Sequence, residues 1–487
     1  MFQTLINAWK IADLRRKVLY TLLILLIFRI GSAISVPFVD VAALTKAVGD
    51  SRELGFLTLL SGGGFSSASI FALSITPYIN ASIIIQLLTV ALPPLERLAK
   101  EGEAGRKKLS AITRYVTVAL GLMLGIAYYF MVRNKYGALV SRARIGGFDE
   151  WFAAIVIILC FTAGSALMMW LGEQINKKGI GNGISMLLFA GILSRAPVAA
   201  KQLLLWFYEG GIKMLDQGGI KNVILIPLVL ILFLAIIAFI VFMTNAERRI
   251  PVQYAKRVVG HGKMMQGGTQ YLPLKLNYSG VMPVIFATAI MALPQMLAQM
   301  MFDHDSWVIG VVNTCLSPND VWYYIISAVM IYFFSYFWVA TMFQPPQIAE
   351  DLKRSGGYIP GVRPGPPTAA FLDQTMSRLT FSGSLFLTLI YFLPSLLTVF
   401  GKLPPLVTQF FGGTSLLILV GVLLDMMRQV EATLLQRNYD GFMKKGKIRG
   451  KYSHLQGTGQ AAEGKGLVII WIIIALFVLA GAVVMAG

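Results

Sequence analysis

Thr76, Pro77, Tyr78, Asn80, Ser82 and Gln86 interrupt an otherwise apolar run from Phe71 to Leu88. The run is long enough to cross a bilayer. In lipid each unpaired hydrogen-bonding group costs a few kcal/mol, so a lipid-facing helix has no reason to carry this many. Their chemistry is hydrogen bonding along one side of a helix that lines a path or a seam. The small-residue stretch Ser61-Gly62-Gly63-Gly64-Phe65-Ser66-Ser67 lies just upstream and suits a segment that moves. Chemistry of other kinds finds little footing. His261, His304 and His454 are isolated in polar segments. No nucleophile–base pair, metal-ligating cluster or phosphate-binding loop is present, so the residues point to neither an enzyme, a metal nor a cofactor. Cys160 lies in an apolar run and Cys315 in a connection, at depths that disfavour a disulfide.

The elements that must position these side chains are membrane helices. The 487 residues are 56% hydrophobic and 13% charged, roughly half the charged share of an ordinary soluble domain. The fold class expected is all-α and polytopic. Apolar runs of about 20 residues, the length needed to span the hydrocarbon, lie near 18–38, 71–92, 112–132, 151–173, 183–205, 222–244, 281–302, 321–343, 379–399 and 415–435. Arg195 and Pro197 interrupt the fifth of these. A further run, 466–487, carries no charge and reads as an eleventh span.

The net charge of +19 is mostly topology. With the N-terminus in the cytoplasm, most Lys and Arg fall on inward segments, as the positive-inside rule requires. The external loop with Arg133, Lys135, Arg142 and Arg144 fits poorly. Anionic lipid is the expected neighbour. Residues 1–17 read as an amphipathic segment on the inner surface, with Phe2, Leu5, Ile6 and Trp9 at helical spacing. No small-residue cleavage site follows the first span, so a cleaved signal peptide is not expected.

The span interiors are nearly free of charge, whereas ion-driven transporters keep ionisable groups there. Arg29 is expected to snorkel to an interface, and Asp425 to pair with Arg428 at i+3. Two inward connections, 244–280 and 344–376, are longer than topology needs. Their basic residues, stiffened by Pro and Gly, suit docking of a large acidic or polyanionic partner; a ribosome would qualify through its RNA phosphates. A secondary transporter or lipid flippase of similar size is the competing reading, and an intramembrane enzyme a third. The charge-free midplane and the long docking loops favour a passive channel driven by a partner.

The stretches LSGGGFSSASIFALSITPYINASIIIQLL, KEGEAGRKKLSAITRY, WLGEQINKKGIGNGISMLLFAGI, ERRIPVQYAKR, YLPLKLNYSGVMPVIFA, DLKRSGGYIPGVRPG and FGGTSLLILVGVLLDM resemble the SecY/Sec61-alpha family of protein-conducting channels. The resemblance runs to about residue 450. It implies two five-helix halves in inverted orientation, spans one to five in 18–205 and six to ten in 219–435, joined by an external hinge at 206–218. A basic tail, 436–465, and the extra segment 466–487 would follow; family members commonly stop soon after the tenth span.

By the same resemblance the pore ring would be Ile75, Ile79, Ile184, Leu188, Ile285 and Ile418, with Leu188 where isoleucine is common. A plug at about 54–66, including Ser61, Gly62, Gly63, Gly64 and Phe65, would block the external funnel as a short helix that detaches. The lateral gate would be the second span against the seventh, with Asn80, Ser82, Gln86 and Phe286. Arg248, Arg249, Lys256, Arg257, Lys353, Arg354 and Arg363 would dock SecA or the ribosome. The implied setting is the bacterial cytoplasmic membrane, with SecE and SecG as fellow subunits, YidC and SecDF as further partners, and preprotein signal sequences as ligands.

Overall fold

The computed structural model describes residues 12–49, 58, 61–135, 150–207, 220–254, 257–259, 263–265, 269–301, 310, 321–401, 407–408, 410 and 413–444. The segments 1–11, 208–219 and 445–487 lie outside them, and with them most of the N-terminal amphipathic segment, of the hinge and of the tail, and all of the eleventh apolar run.

Each of the ten apolar runs contains helix. The first is α1 (Ala12–Ala33), followed by the short α2 (Val41–Gly49). α3 (Thr76–Ala91) ends where Leu92 turns extended before Pro93, as a residue preceding proline must. Pro93 and Pro94 then start α4 (Pro93–Lys100), bent 100° from α3. α5 (Glu103–Phe130) runs into a π-helical turn, Met131–Lys135. α6 (Glu150–Lys178), α7 (Gly183–Phe207) and α8 (Ile220–Asn245) follow. α7 is one helix despite Arg195 and Pro197, so the expected interruption does not break it. After the first long connection come α9 (Met282–Met301) and α10 (Val321–Met342). α11 (Pro345–Ser355), α12 (Pro366–Gly401) and α13 (Gly413–Lys444) complete the set.

Among the described residues, six helices are long and apolar enough to cross a membrane, and the bent pair α3–α4 would make a seventh. Their outer faces keep large apolar side chains exposed, for example Leu19, Leu23 and Leu26 on α1 and Phe242 on α8. That much exposed apolar surface fits lipid and not water. α6 and α7 cross at contact distance: a Cβ at Gly183 would collide with the Gly172 carbonyl.

Among the described residues, the two long connections 244–280 and 344–376 carry strands. β1 (Glu247–Tyr254) pairs antiparallel with β4 (Thr269–Lys275), Ile250 opposite Leu272. On its other edge β1 takes β5 (Gly357–Tyr358) from the second connection, Gln253 opposite Tyr358. A small hairpin, β2 (Arg257–Val259) with β3 (Lys263–Met265), lies between β1 and β4. The expectation of a purely helical chain therefore misses a three-stranded sheet. Ile250, Val252 and Leu274 point inward and pack on Val339, Phe343, Leu372 and Met376 from the ends of α10 and α12. That apolar underside holds the sheet on the bundle.

Candidate functional site

One large buried cluster occupies the middle of the bundle. Ile75 and Ile79 reach it from the start of α3, Ile184 and Leu188 from α7, Ile285 from α9 and Ile418 from α13. Ile184 is half-buried; the other five are buried. Below Leu188, Ile285 and Ile418 lies a cavity of about 220 Å³ whose far wall carries Lys275, Asn277, Asp425 and Arg428. The cavity, a candidate vestibule, thus joins apolar residues of the cluster to polar and charged ones.

In the vestibule, Arg428 gives its Nη2 to Asn245 Oδ1 at 2.9 Å. Among the described residues no ion pair joins it to Asp425, so the expected i+3 pairing gives way to a contact between α13 and the end of α8. Gln429 Oε1 accepts the Gly181 N–H at 2.9 Å, tying α13 also to the α6–α7 turn. Burial pushes the Lys275 ammonium below its ordinary pKa, and Arg428 adds to this; Asp425 and Glu247 oppose it.

Ser61–Ser74 folds as consecutive turns around an isolated bridge at Ser69. Of the expected plug, Thr58 is helical and 61–66 are turns; the rest lies outside the described residues. Gly62 and Gly63 take φ of 64° and 94°, a region open to glycine. The Ser61 hydroxyl accepts the Phe65 N–H at 2.8 Å. The Tyr128 hydroxyl donates to the Phe65 carbonyl at 2.6 Å, and its ring meets Phe65 edge-on at 4.9 Å. Ile70 N–H and Val36 N–H pair with Ile34 and Ala68 carbonyls across a short bridge to the end of α1.

Arg29 is exposed. Its Nη1 donates to the Gly62 carbonyl at 3.3 Å, which also accepts from the Ser194 hydroxyl. Arg195 Nη2 donates to Ser66 Oγ at 3.0 Å. A Cβ at Gly63 would collide with the Arg195 guanidinium. Sequence reasoning missed Tyr128, Ser194 and Arg195 as partners of this segment. The signal for it is Arg195, a lone arginine inside an apolar run.

The polar residues of α3 divide. Asn80 is buried at 2% exposure, and neither amide atom has a hydrogen-bond partner; Gln86 Oε1 is likewise unpaired. Ser82 is half-buried. α3 and α5 both pack on α9, so Asn80 lies in a helix that forms part of that seam. Phe286 of α9 has its ring partners on α10, Phe334 at 5.8 Å and Trp338 at 5.5 Å, both edge-on. Sequence reasoning also missed the Arg114–Glu173 fork, with both N–H groups at 2.6 and 2.7 Å, which joins α5 to α6.

Of the docking candidates, Arg248, Arg249, Lys353, Arg354 and Arg363 are exposed, and the sheet brings their two connections together. Arg249 pairs with Glu247 and Arg354 with Glu350. Arg363 sits in a turn between Gly361 and Gly365, both at positive φ. Lys256 lies outside the described residues, as does the Arg257 side chain.

The SecY family model matches residues 69–427. The protein translocase subunit SecY of Streptomyces coelicolor is 40% identical over 463 residues, covering 91% of this chain and all of that protein. Its counterpart in Halalkalibacterium halodurans is 42% identical over 448 residues, with the same coverage. Among solved structures, one described as a protein conducting channel aligns with TM-score 0.62 at 19% identity over 89% of this chain and 95% of the other. A second, described for the plug domain of the SecY protein, aligns with TM-score 0.58. These matches establish that the chain belongs to the SecY family.

Proposed function

We propose that this chain is the pore-forming subunit of a protein translocase. It passes unfolded secretory proteins across the bacterial cytoplasmic membrane and releases apolar segments sideways into lipid. The observation that carries the reading is the convergence of Ile75, Ile79, Leu188, Ile285 and Ile418 from four helices in one buried cluster above a polar vestibule. A narrow apolar collar dewets and stops ions. It deforms around a passing chain because its contacts are non-directional and individually worth about 0.1–0.2 kcal/mol.

The architecture expected is ten spans in two inverted halves, 18–205 and 219–435, with the N-terminus inside and 466–487 as an eleventh span. The segment about 54–66 acts as the plug, and the hydrogen bonds that hold Gly62, Phe65 and Ser66 to α1, α5 and α7 support this. The lateral gate is α3 against α9, with Asn80, Ser82, Gln86 and Phe286 along it. Polar contacts in membranes average about 0.6 kcal/mol, so such a seam opens readily. An entering leucine-rich segment gains a few tenths of a kcal/mol per residue in lipid, while one Lys or Arg costs about 3.

SecA or a translating ribosome supplies the energy through Arg248, Arg249, Lys256, Arg257, Lys353, Arg354 and Arg363. The exposed sheet that joins both connections supports a single docking platform. SecE would clamp the halves and SecG complete the complex. Replacing Ile79 and Ile418 together by Asn tests the reading. Raised ion leakage during export through channels reconstituted in vesicles is expected, and leakage and export both unchanged would refute it.

A further inference from the structure

Arg29 and Arg195 lie about 18 Å of helix beyond Lys17 and Gly183 respectively, away from the basic segments. Both guanidiniums turn onto the glycine segment and are near enough for like-charge repulsion. Among the described residues neither has a carboxylate within ion-pair distance. Their acceptors are neutral: the Gly62 carbonyl at 3.3 Å and the Ser66 hydroxyl at 3.0 Å. Arg195 Nε is buried and has no partner. A buried donor left unpaired is costly, and a guanidinium fork matches a carboxylate with two parallel bonds. Arg195 is therefore under-satisfied by the segment it holds, and the exposed Arg29 stands beside it.

We infer that Arg29 and Arg195 form a carboxylate-binding site for acidic side chains of the passing polypeptide, masked by Gly62 and Ser66 in the closed channel. An Asp or Glu that reaches the pair replaces two neutral acceptors with a charged one, and the glycine segment is released. Lys and Arg gain nothing there. The channel then favours clients with an acidic residue early in the mature segment. This inference rests on the channel reading.

The test uses vesicles containing this chain with its fellow subunits and motor. Two clients are compared, identical except for Glu or Gln at one early position, and the ratio of their export rates is read within one vesicle preparation. The ratio cancels differences in the amount of folded channel. Charge-assisted bonds are about twice as strong as neutral ones, so the Glu client should be exported about fivefold faster. In a channel carrying R29Q and R195Q the ratio should fall to one, while R29K with R195K should retain part of it. Equal rates with the unaltered channel, or a ratio unmoved by R29Q and R195Q, would overturn the inference. Vesicles that export neither client would overturn the channel reading itself.

Discussion

The ring candidates and the glycine segment lie in separate clusters and are held by opposite kinds of force. The ring is aliphatic, and its buried members, Ile75, Ile79, Leu188, Ile285 and Ile418, sit in one apolar cluster. The glycine segment is held by hydrogen bonds from Arg29, Tyr128, Ser194 and Arg195 on three different helices. Dispersion contacts are lost gradually and re-form around any apolar surface. Hydrogen bonds depend on distance and angle and are lost within an ångström. The first region suits a collar that must close on whatever passes, and the second a stopper with two defined positions.

Several changes would break or sharpen that contrast. The largest effect is expected from Gly63→Val, which combines a φ of 94° with a collision against the Arg195 guanidinium. The segment should fail to seat, and single-channel recording should show openings without any client. If the ring alone sealed the channel, this variant would stay closed. Next comes Ile79→Asn with Ile418→Asn: an amide at each site should hydrate the collar and raise ion conductance during export, when the stopper is displaced.

A smaller effect is expected for Tyr128→Phe. It removes the 2.6 Å bond to the Phe65 carbonyl while keeping the edge-on ring contact. A buried hydrogen bond contributes about 1 kcal/mol, so resting openings should rise several-fold and remain well below those of Gly63→Val. Asn80→Leu, which replaces an unpaired buried amide by an apolar side chain of similar size, should raise the melting temperature by a few degrees and slow lateral release.

The smallest effect concerns Lys275 in the vestibule. Its native pKa lies below the ordinary value of 10.5, so the unfolded chain binds more protons between the two. Stability should therefore rise with pH across that window, and below the native value the group contributes no pH dependence. Lys275→Met should remove that slope in alkaline denaturation curves.

Much of the fold was legible because membrane helices announce themselves by length. All ten apolar runs contain helix, and Pro93 and Pro94 mark the bend after α3. The sheet was not legible. β1 and β4 carry Pro251 and Pro273 and expose Arg248 and Arg249, so the alternation is muddied by residues that usually argue against strands. The glycine segment stood out as mobile by composition, but its restraints did not. Arg29, Ser194 and Arg195 act on it across sequence separations of 33, 132 and 129 residues, and no local pattern connects them. The Asp425–Arg428 expectation failed for the same reason, since Asn245 is brought to Arg428 from a helix 183 residues away.

The most direct test of the account is site-specific crosslinking of a moving chain. Cys160 and Cys315 would be replaced, one cysteine placed at Ile79 or Ile285, and a secretory precursor carrying another stalled in vesicles with SecE and SecA. A client passing through the ring predicts an ATP-dependent disulfide at both positions and none at lipid-facing Leu23 or Phe242. Active export with no crosslink at Ile79 or Ile285 would show that the chain travels elsewhere, and the ring would then be ordinary helix packing.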